Sequence, residues 1–212
     1  MADGKRVSVE TELAIEIVVL DLGGVLVELG GVDELGALIG EQDEAEVWRR
    51  WLNSEWVRRY ERGRCTREEF ANGMIQENRL ELEPEEFLVL FLAWPRGLFS
   101  GAQSLVQSVR PDLELACLSN TNELHWKEQK DAGDVHRLFE KQFLSYEIGM
   151  VKPDLEIFDC VTSALACPAG SIFFLDDNLI NVEGARVAGW QAERVAGVEE
   201  ARRALRQRGL LR

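Results

Sequence analysis

A run of β-branched and apolar residues, Ile15 to Leu20 (IEIVVL), stops at Asp21 and is followed closely by two glycines, Gly23 and Gly24. A strand that is apolar at nearly every position predicts burial on both faces, the environment of a parallel sheet with helices on each side. The same design recurs along the chain. Leu113 to Leu118 (LELACL) ends in Ser119-Asn120-Thr121-Asn122, and Ser171 to Leu175 (SIFFL) ends in Asp176-Asp177. Phe143-Leu144 predicts a short strand, and Gln191 to Val195 a last one. Between them, Leu155, Phe158, Val161, Thr162 and Leu165 recur at helical steps, and a charged helix is predicted over 198–207. Strands alternating with helices predict an α/β fold, a Rossmann-like doubly wound parallel sheet.

Residues 29–101 break this rhythm with helical patterns and no strand signal. They are read as an inserted helical cap, with 1–28 and 102–212 forming the α/β core. Within the insert, Trp48, Trp51, Leu52, Trp56 and Tyr60 predict one face of a single helix, whose aromatic stripe is packing surface. Glu61-Arg62-Gly63-Arg64-Cys65-Thr66 predicts a turn, with Thr66 as N-cap and Glu69 completing a capping box.

With 38 acidic and 24 basic residues the formal charge is −14, which argues against a nucleic-acid partner because no basic stripe is present. The first residues, MADGKRVSVETELA, lack the apolar segment of a secretory leader. The longest apolar run, Phe87 to Trp94, is far short of the ~20 residues that span a bilayer. The expectation is a cytoplasmic protein without a membrane partner. Cys65, Cys117, Cys160 and Cys167 are widely spaced, and with only His125 and His136 nearby they predict reduced, mostly buried thiols and no zinc site.

In open α/β sheets chemistry collects at the carboxyl ends of the strands, where helix N-termini and loops surround one crevice. Here those ends carry Asp21, Ser119-Asn120 and Asp176-Asp177. Converging carboxylates repel one another unless a cation lies between them, and oxygen ligands suit Mg²⁺. Lys152, in Gly149-Met150-Val151-Lys152-Pro153-Asp154, precedes a helix and could neutralise a bound anion and a neighbouring carboxylate.

These residues, in this order, resemble the haloacid dehalogenase (HAD) superfamily, specifically its phosphatases with a helical C1 cap between the first two motifs. The resemblance runs from Ile15 onward and rests on four strings: VVLDLGGVLVEL, CLSNTN, GMVKPD and FFLDDNLINVEGA. It implies that Asp21 is the nucleophile that accepts a phosphoryl group. It further implies that Ser119 and Asn120 bind a phosphoryl oxygen and that Lys152 orients nucleophile and phosphate. Asp21, the Gly23 carbonyl, Asp176 and Asp177 would form the Mg²⁺ site. The partner implied is a small phosphorylated substrate, hydrolysed through an aspartyl-phosphate.

The chain departs from the family pattern at Gly23, where phosphatases commonly carry an aspartate acting as general acid and base; such a group typically contributes ~10²–10⁴-fold. Asn181 stands where many members have a further aspartate. Both departures, with LSNTN and the Glu61-Arg62-Gly63 turn, resemble a bacterial subgroup that includes α-glucose 1-phosphate phosphatases, which implies a sugar phosphate. Arg62 and Arg64 are then candidates for substrate selection, as are Asn122 and His125 after the second motif. Two alternatives stand beside this reading. A catalytically impaired module would bind a phospho-ligand or a protein, and a metal-free haloacid dehalogenase would share the nucleophile but normally lacks the acidic pair of the fourth motif.

Overall fold

The computed structural model of the chain describes residues 13–128 and 135–212. Five parallel strands, β1 (Ile17–Leu20), β4 (Glu114–Ser119), β5 (Lys141–Leu144), β6 (Ile172–Asp176) and β7 (Gln191–Arg194), form a sheet in the order β5-β4-β1-β6-β7. Every residue of β1 is buried, which is why it takes the central place. Val18 and Leu20 pack in one layer with Leu105 of the helix Ala102–Ser108 and with Ala201 and Leu205 of the helix Gly197–Gln207. Ile17 and Val19 pack in the other with Phe158 and Val161 of the helix Leu155–Leu165 and Val182 of the helix Leu179–Val187. The doubly wound sheet is therefore the direct product of strands that alternate between two apolar layers. The edge strand β5 extends two residues before the predicted Phe143-Leu144, because Lys141 and Gln142, polar as edge positions often are, hide it from an apolar-run reading.

Residues 31–92 fold into five helices: α1 (Gly31–Ile39), α2 (Glu44–Asn53), α3 (Glu55–Glu61), α4 (Arg67–Asn78) and α5 (Pro84–Leu92). They enclose a core of their own, with Leu35, Val47, Phe70, Met74, Phe87 and Phe91 at its heart. The aromatic stripe predicted for one helix is divided between two. The chain turns extended at Ser54, whose Oγ accepts from the Val57 N–H at 3.4 Å and donates to Glu77 Oε2 at 2.6 Å. A residue that satisfies a new helix start ends the old one. Trp51 and Tyr60 consequently both reach the aromatic core, Tyr60 stacking on Phe70 at 4.5 Å between centroids, while Leu52 is 39% exposed. The predicted capping box forms as expected, Thr66 Oγ1 accepting from the Glu69 N–H at 3.1 Å and Glu69 Oε2 from the Thr66 N–H at 2.9 Å.

The chain enters and leaves the helical block through a two-stranded antiparallel ribbon, β2 (Val27–Leu29) with β3 (Pro95–Leu98). The sequence carries no strand signal over β3, since Pro95 and Gly97 are poor strand residues and the pairing is imposed by the neighbouring segment. All four cysteines are free; only Cys117 is buried, and Cys65, Cys160 and Cys167 are half-buried, so the expectation of mostly buried thiols holds for one of them. Among the described residues no helix is long and apolar enough to cross a membrane.

Candidate active site

The hydrogen-bonding register of the sheet sets the spacing of the site. Leu20 pairs with Leu175, so Asp21 and Asp176 emerge side by side from adjacent strands, with the Asp21 N–H donating to the Leu175 carbonyl at 2.9 Å. On the other flank Leu20 pairs with Cys117, bringing Ser119 to the same edge. Lys152 comes from the loop before the helix Leu155–Leu165, and its ammonium sits between the carboxylates. Nζ lies 2.9 Å from Asp21 Oδ1 and 2.6 Å from Asp176 Oδ2, and it donates to the Leu118 carbonyl at 3.0 Å. Asp21, Lys152 and Asp176 are all buried.

Asn120 fixes the backbone that carries this lysine. Its Nδ2 donates to the Lys152 carbonyl at 3.0 Å and its Oδ1 accepts from the Lys152 N–H at 2.9 Å. The Asn120 side chain is thus committed to Lys152. The Ser119 hydroxyl, by contrast, makes only a 3.5 Å contact with the Asn120 carbonyl, too long to commit it. Asp21 is divided in function between its two oxygens. Oδ1 accepts from the Leu22 N–H at 2.7 Å and faces Lys152, whereas Oδ2 accepts nothing among the described residues.

Three carboxylates, Asp21, Asp176 and Asp177, offer oxygens that lie within 4.8 Å of one another. Burial pushes the Asp21 carboxyl well above its usual range, and Asp176 and Asp177 push the same way against the pull of Lys152. Asp177 is raised to about 6 by burial and by Asp176. Burial acts to neutralise Lys152, but Asp176 and Asp21 outweigh it and hold the ammonium above its ordinary pKa. Asn181 donates from Nδ2 to both Asp176 oxygens at 3.1 Å, so the residue standing in place of an aspartate relieves the charge crowding it would have increased.

Glycine is needed at position 24 for two reasons: φ is +68°, and a Cβ built there would collide with the Asp177 carboxylate. At Gly23 a Cβ would meet Leu29 Cδ1 at 2.7 Å. The space into which the family's aspartate would begin to grow is occupied by a leucine methyl. The Gly23 carbonyl accepts no hydrogen bond among the described residues.

The Glu61-Arg62-Gly63 turn ends α3 against the loop that carries Lys152. Arg58 Nη2 donates to both Asp154 oxygens at 3.0 and 2.9 Å, Arg62 Nη2 pairs with the same carboxylate, and Arg64 Nη2 donates to the Gly149 carbonyl at 3.3 Å. The arginines expected to select substrate instead tie the helical block to the sheet. Glu61, read in the sequence only as part of a turn, has no hydrogen-bond or ion-pair partner among the described residues. Burial pushes its carboxyl up to about 7, against the pull of Lys152 first and then Arg58. Its identity alone carries no signal; only the fold brings it into the field of Lys152.

Asn122 and His125 are engaged with each other. Asn122 Oδ1 accepts from the His125 N–H at 3.0 Å, and Asn122 Nδ2 lies 3.1 Å from Nδ1. Nε2 lies 2.7 Å from the Phe91 carbonyl, which can only accept, so Nε2 carries the proton and Nδ1 accepts from Asn122. Burial lowers this imidazole to about 4, leaving it neutral. Beside it a cavity of about 140 Å³ opens between the helical block and the strand ends. Gly23, Ser119 and Asn120 line it on the side of the strand ends, and Leu35, Val47, Trp48, Trp51, Phe91 and Trp94 on the side of the helical block.

No family model matches the sequence. The chain is 30% identical over 160 residues, 73% of its length, to "Drimenol cyclase drtB" of Aspergillus calidoustus, spanning 30% of that protein. It is 28% identical over 127 residues to "Phosphatase MT3486" of Mycobacterium tuberculosis (strain CDC 1551 / Oshkosh), covering 58% of each. The matched stretch thus spans less than two thirds of either curated relative. Among solved structures, HAD family enzyme bt-2542 of Bacteroides thetaiotaomicron superposes with a TM-score of 0.69 at 28% identity, covering 86% of this chain and 94% of that one. The same enzyme has been solved in complex with magnesium and inorganic phosphate, and that form superposes with a TM-score of 0.66 at 27% identity. The sheet order, the four strand-end motifs and these likenesses together make the chain a member of the haloacid dehalogenase superfamily.

Proposed function

We propose that the chain is a Mg²⁺-dependent phosphatase acting on a small phosphorylated metabolite through an aspartyl-phosphate, with the helical block as its cap. The observation that carries this reading is the placement of Lys152 between Asp21 and Asp176 with one Asp21 oxygen unengaged. The residues fit the metal. Three carboxylates and one ammonium leave two negative charges when all are ionised, and an all-oxygen donor set suits a hard divalent cation. Asp21, Asp177 and the Gly23 carbonyl would hold Mg²⁺ with Asp176 beside them, and the bound ion would supply neutralising charge to the phosphoryl oxygens and the nucleophile.

Asp21 Oδ2 attacks phosphorus while the Ser119 hydroxyl and Lys152 hold the phosphoryl oxygens; the Asn120 side chain keeps Lys152 in place. The bond from phosphorus to the leaving oxygen breaks as the Asp21–phosphorus bond forms. Glu61, protonated at the start, gives its proton to the leaving oxygen and then takes one from the water that cleaves the aspartyl-phosphate. A carboxyl raised to about 7 by burial is suited to both steps. The sugar portion of the expected substrate rests on motif resemblance alone.

Phosphate release from a panel of phosphate monoesters, with and without Mg²⁺, tests the reading. Mg²⁺-dependent turnover that is abolished by Asp21→Asn supports it. Turnover that persists in Asp21→Asn overturns it. Gly23 also favours a second reading, a module that binds phospho-ligands without turning them over. In that case the wild type binds a phosphate ester but releases no phosphate above the Asp21→Asn background.

A further inference from the structure

A phosphatase states its substrate class in the walls beyond the phosphoryl site, and here those walls are apolar. Among the described residues, no Asp, Glu, Lys or Arg lines the cavity. The lining is mainly apolar, with Leu29, Leu35, Val47, Trp48, Trp51 and Phe91 among its residues. Several of the polar groups present are spent, while the Ser119 and Thr121 hydroxyls stay uncommitted among the described residues. Asn120 is held by the Lys152 backbone, and Asn122, His125 and the Phe91 carbonyl satisfy one another. The buried Trp94 indole N–H also lines the cavity and meets no acceptor.

A hexose carries a hydroxyl on almost every carbon, and burying each without a partner is costly. A binding site for one therefore needs several converging side-chain donors and acceptors. An alkyl or aryl group needs none. Leu29 strengthens the contrast, because its methyl fills the place next to Gly23 and so extends the apolar wall to the mouth of the phosphoryl site.

We propose that this cavity receives the apolar group of a phosphate monoester, so that the substrate is the phosphate of an alkyl or aryl alcohol rather than of a sugar. The proposal rests on the phosphatase reading for its reaction but not for its binding. Gly23, Ser119 and Asn120 line the cavity next to Asp21, so the phosphoryl group lies at that end and the apolar group against the remaining walls.

The test separates binding from turnover. Affinities of the wild type for methylphosphonate, hexylphosphonate and glucose 1-phosphate are measured by calorimetry in the presence of Mg²⁺, alongside phosphate release from methyl phosphate, hexyl phosphate and glucose 1-phosphate. Five added methylenes entering an apolar cavity are expected to tighten hexylphosphonate over methylphosphonate by at least about 30-fold. Trp48→Ser and Leu29→Ser, both at partly exposed positions, are each expected to reduce that ratio about tenfold. Equal affinities for the two phosphonates, tighter binding of glucose 1-phosphate, or a ratio unchanged in both variants overturns the proposal. If the ratio holds but no ester is hydrolysed, the apolar site stands and the phosphatase reading falls.

Discussion

The sheet and the helical block hold their functional residues by opposite means. At the strand ends, Asp21 and Asp176 are spaced by backbone register, and their partners are two or three atoms of fixed geometry apiece. In the helical block, Trp51 is placed by side-chain packing, and the helix end that carries Glu61 is held through Arg58 and Arg62 by one shared carboxylate, Asp154. A register tolerates almost no variation, since a one-residue slip turns every side chain over. Packing tolerates volume-conserving change. On the proposed reading the first region therefore carries phosphoryl transfer, and the second contributes the Glu61 carboxyl and the apolar walls.

The largest expected effect lies at the sheet. Lys152→Met should lower phosphate release roughly 10³-fold or more, by analogy with removing a group that touches both nucleophile and phosphate. It should also destabilise the fold by ~3 kcal/mol, because it leaves buried carboxylates uncompensated; activity assays beside urea unfolding read both. Near-normal turnover would break the comparison at its root. Next comes Glu61→Gln, expected to cost ~10²-fold and to change the pH dependence. In the wild type, single-turnover release of the alcohol should fall as pH rises through about 7, where the carboxyl loses the proton it donates, whereas the glutamine variant should show no such limb. An identical limb in both proteins would remove Glu61 from the proton path.

His125 sharpens the contrast on the side of stability. Its folded pKa of about 4 lies below the ordinary 6.5, so the unfolded chain binds the proton first as pH falls. The stability it confers is complete above about pH 6.5 and is lost toward pH 4, on the order of 2–3 kcal/mol. Urea midpoints at pH 7 and pH 4.5 should differ less in His125→Gln than in the wild type; equal differences would contradict the assignment. The smallest effect is at the seam. Asp154→Asn should cost about 1 kcal/mol or less, since its arginine partners are partly exposed. It should raise KM for a bulky ester more than for methyl phosphate.

The sheet was legible in the sequence because an apolar run that stops abruptly at polar residues fits little besides a buried strand. Asp21, Ser119, Lys152, Asp176 and Asp177 could be read from the same feature, each lying at a strand end or in a loop after one. The helical block was legible only as helical. Ser54 looks like any serine inside a helical period, yet it ends α2 by capping α3. The strand β3 is paired by its partner rather than by its own propensity. Arg62 could not be assigned from its place in a turn, because the Asp154 that claims it lies 92 residues away. Glu61 and the apolar walls depend on which faces meet across the seam, and spacing along the chain does not encode that.

The seam has one further consequence. Asp154 lies two residues beyond Lys152, so a single loop carries both the buried cation of the site and the carboxylate that holds the helical block. The two differ in access to water: side-chain exposure is 1% at Lys152 but 36% at Arg58 and 30% at Asp154. Dissolved salt screens the second pair and scarcely reaches the first. Ionic strength is thus expected to loosen the hold of the helices on this loop while leaving the contacts of Lys152 unchanged.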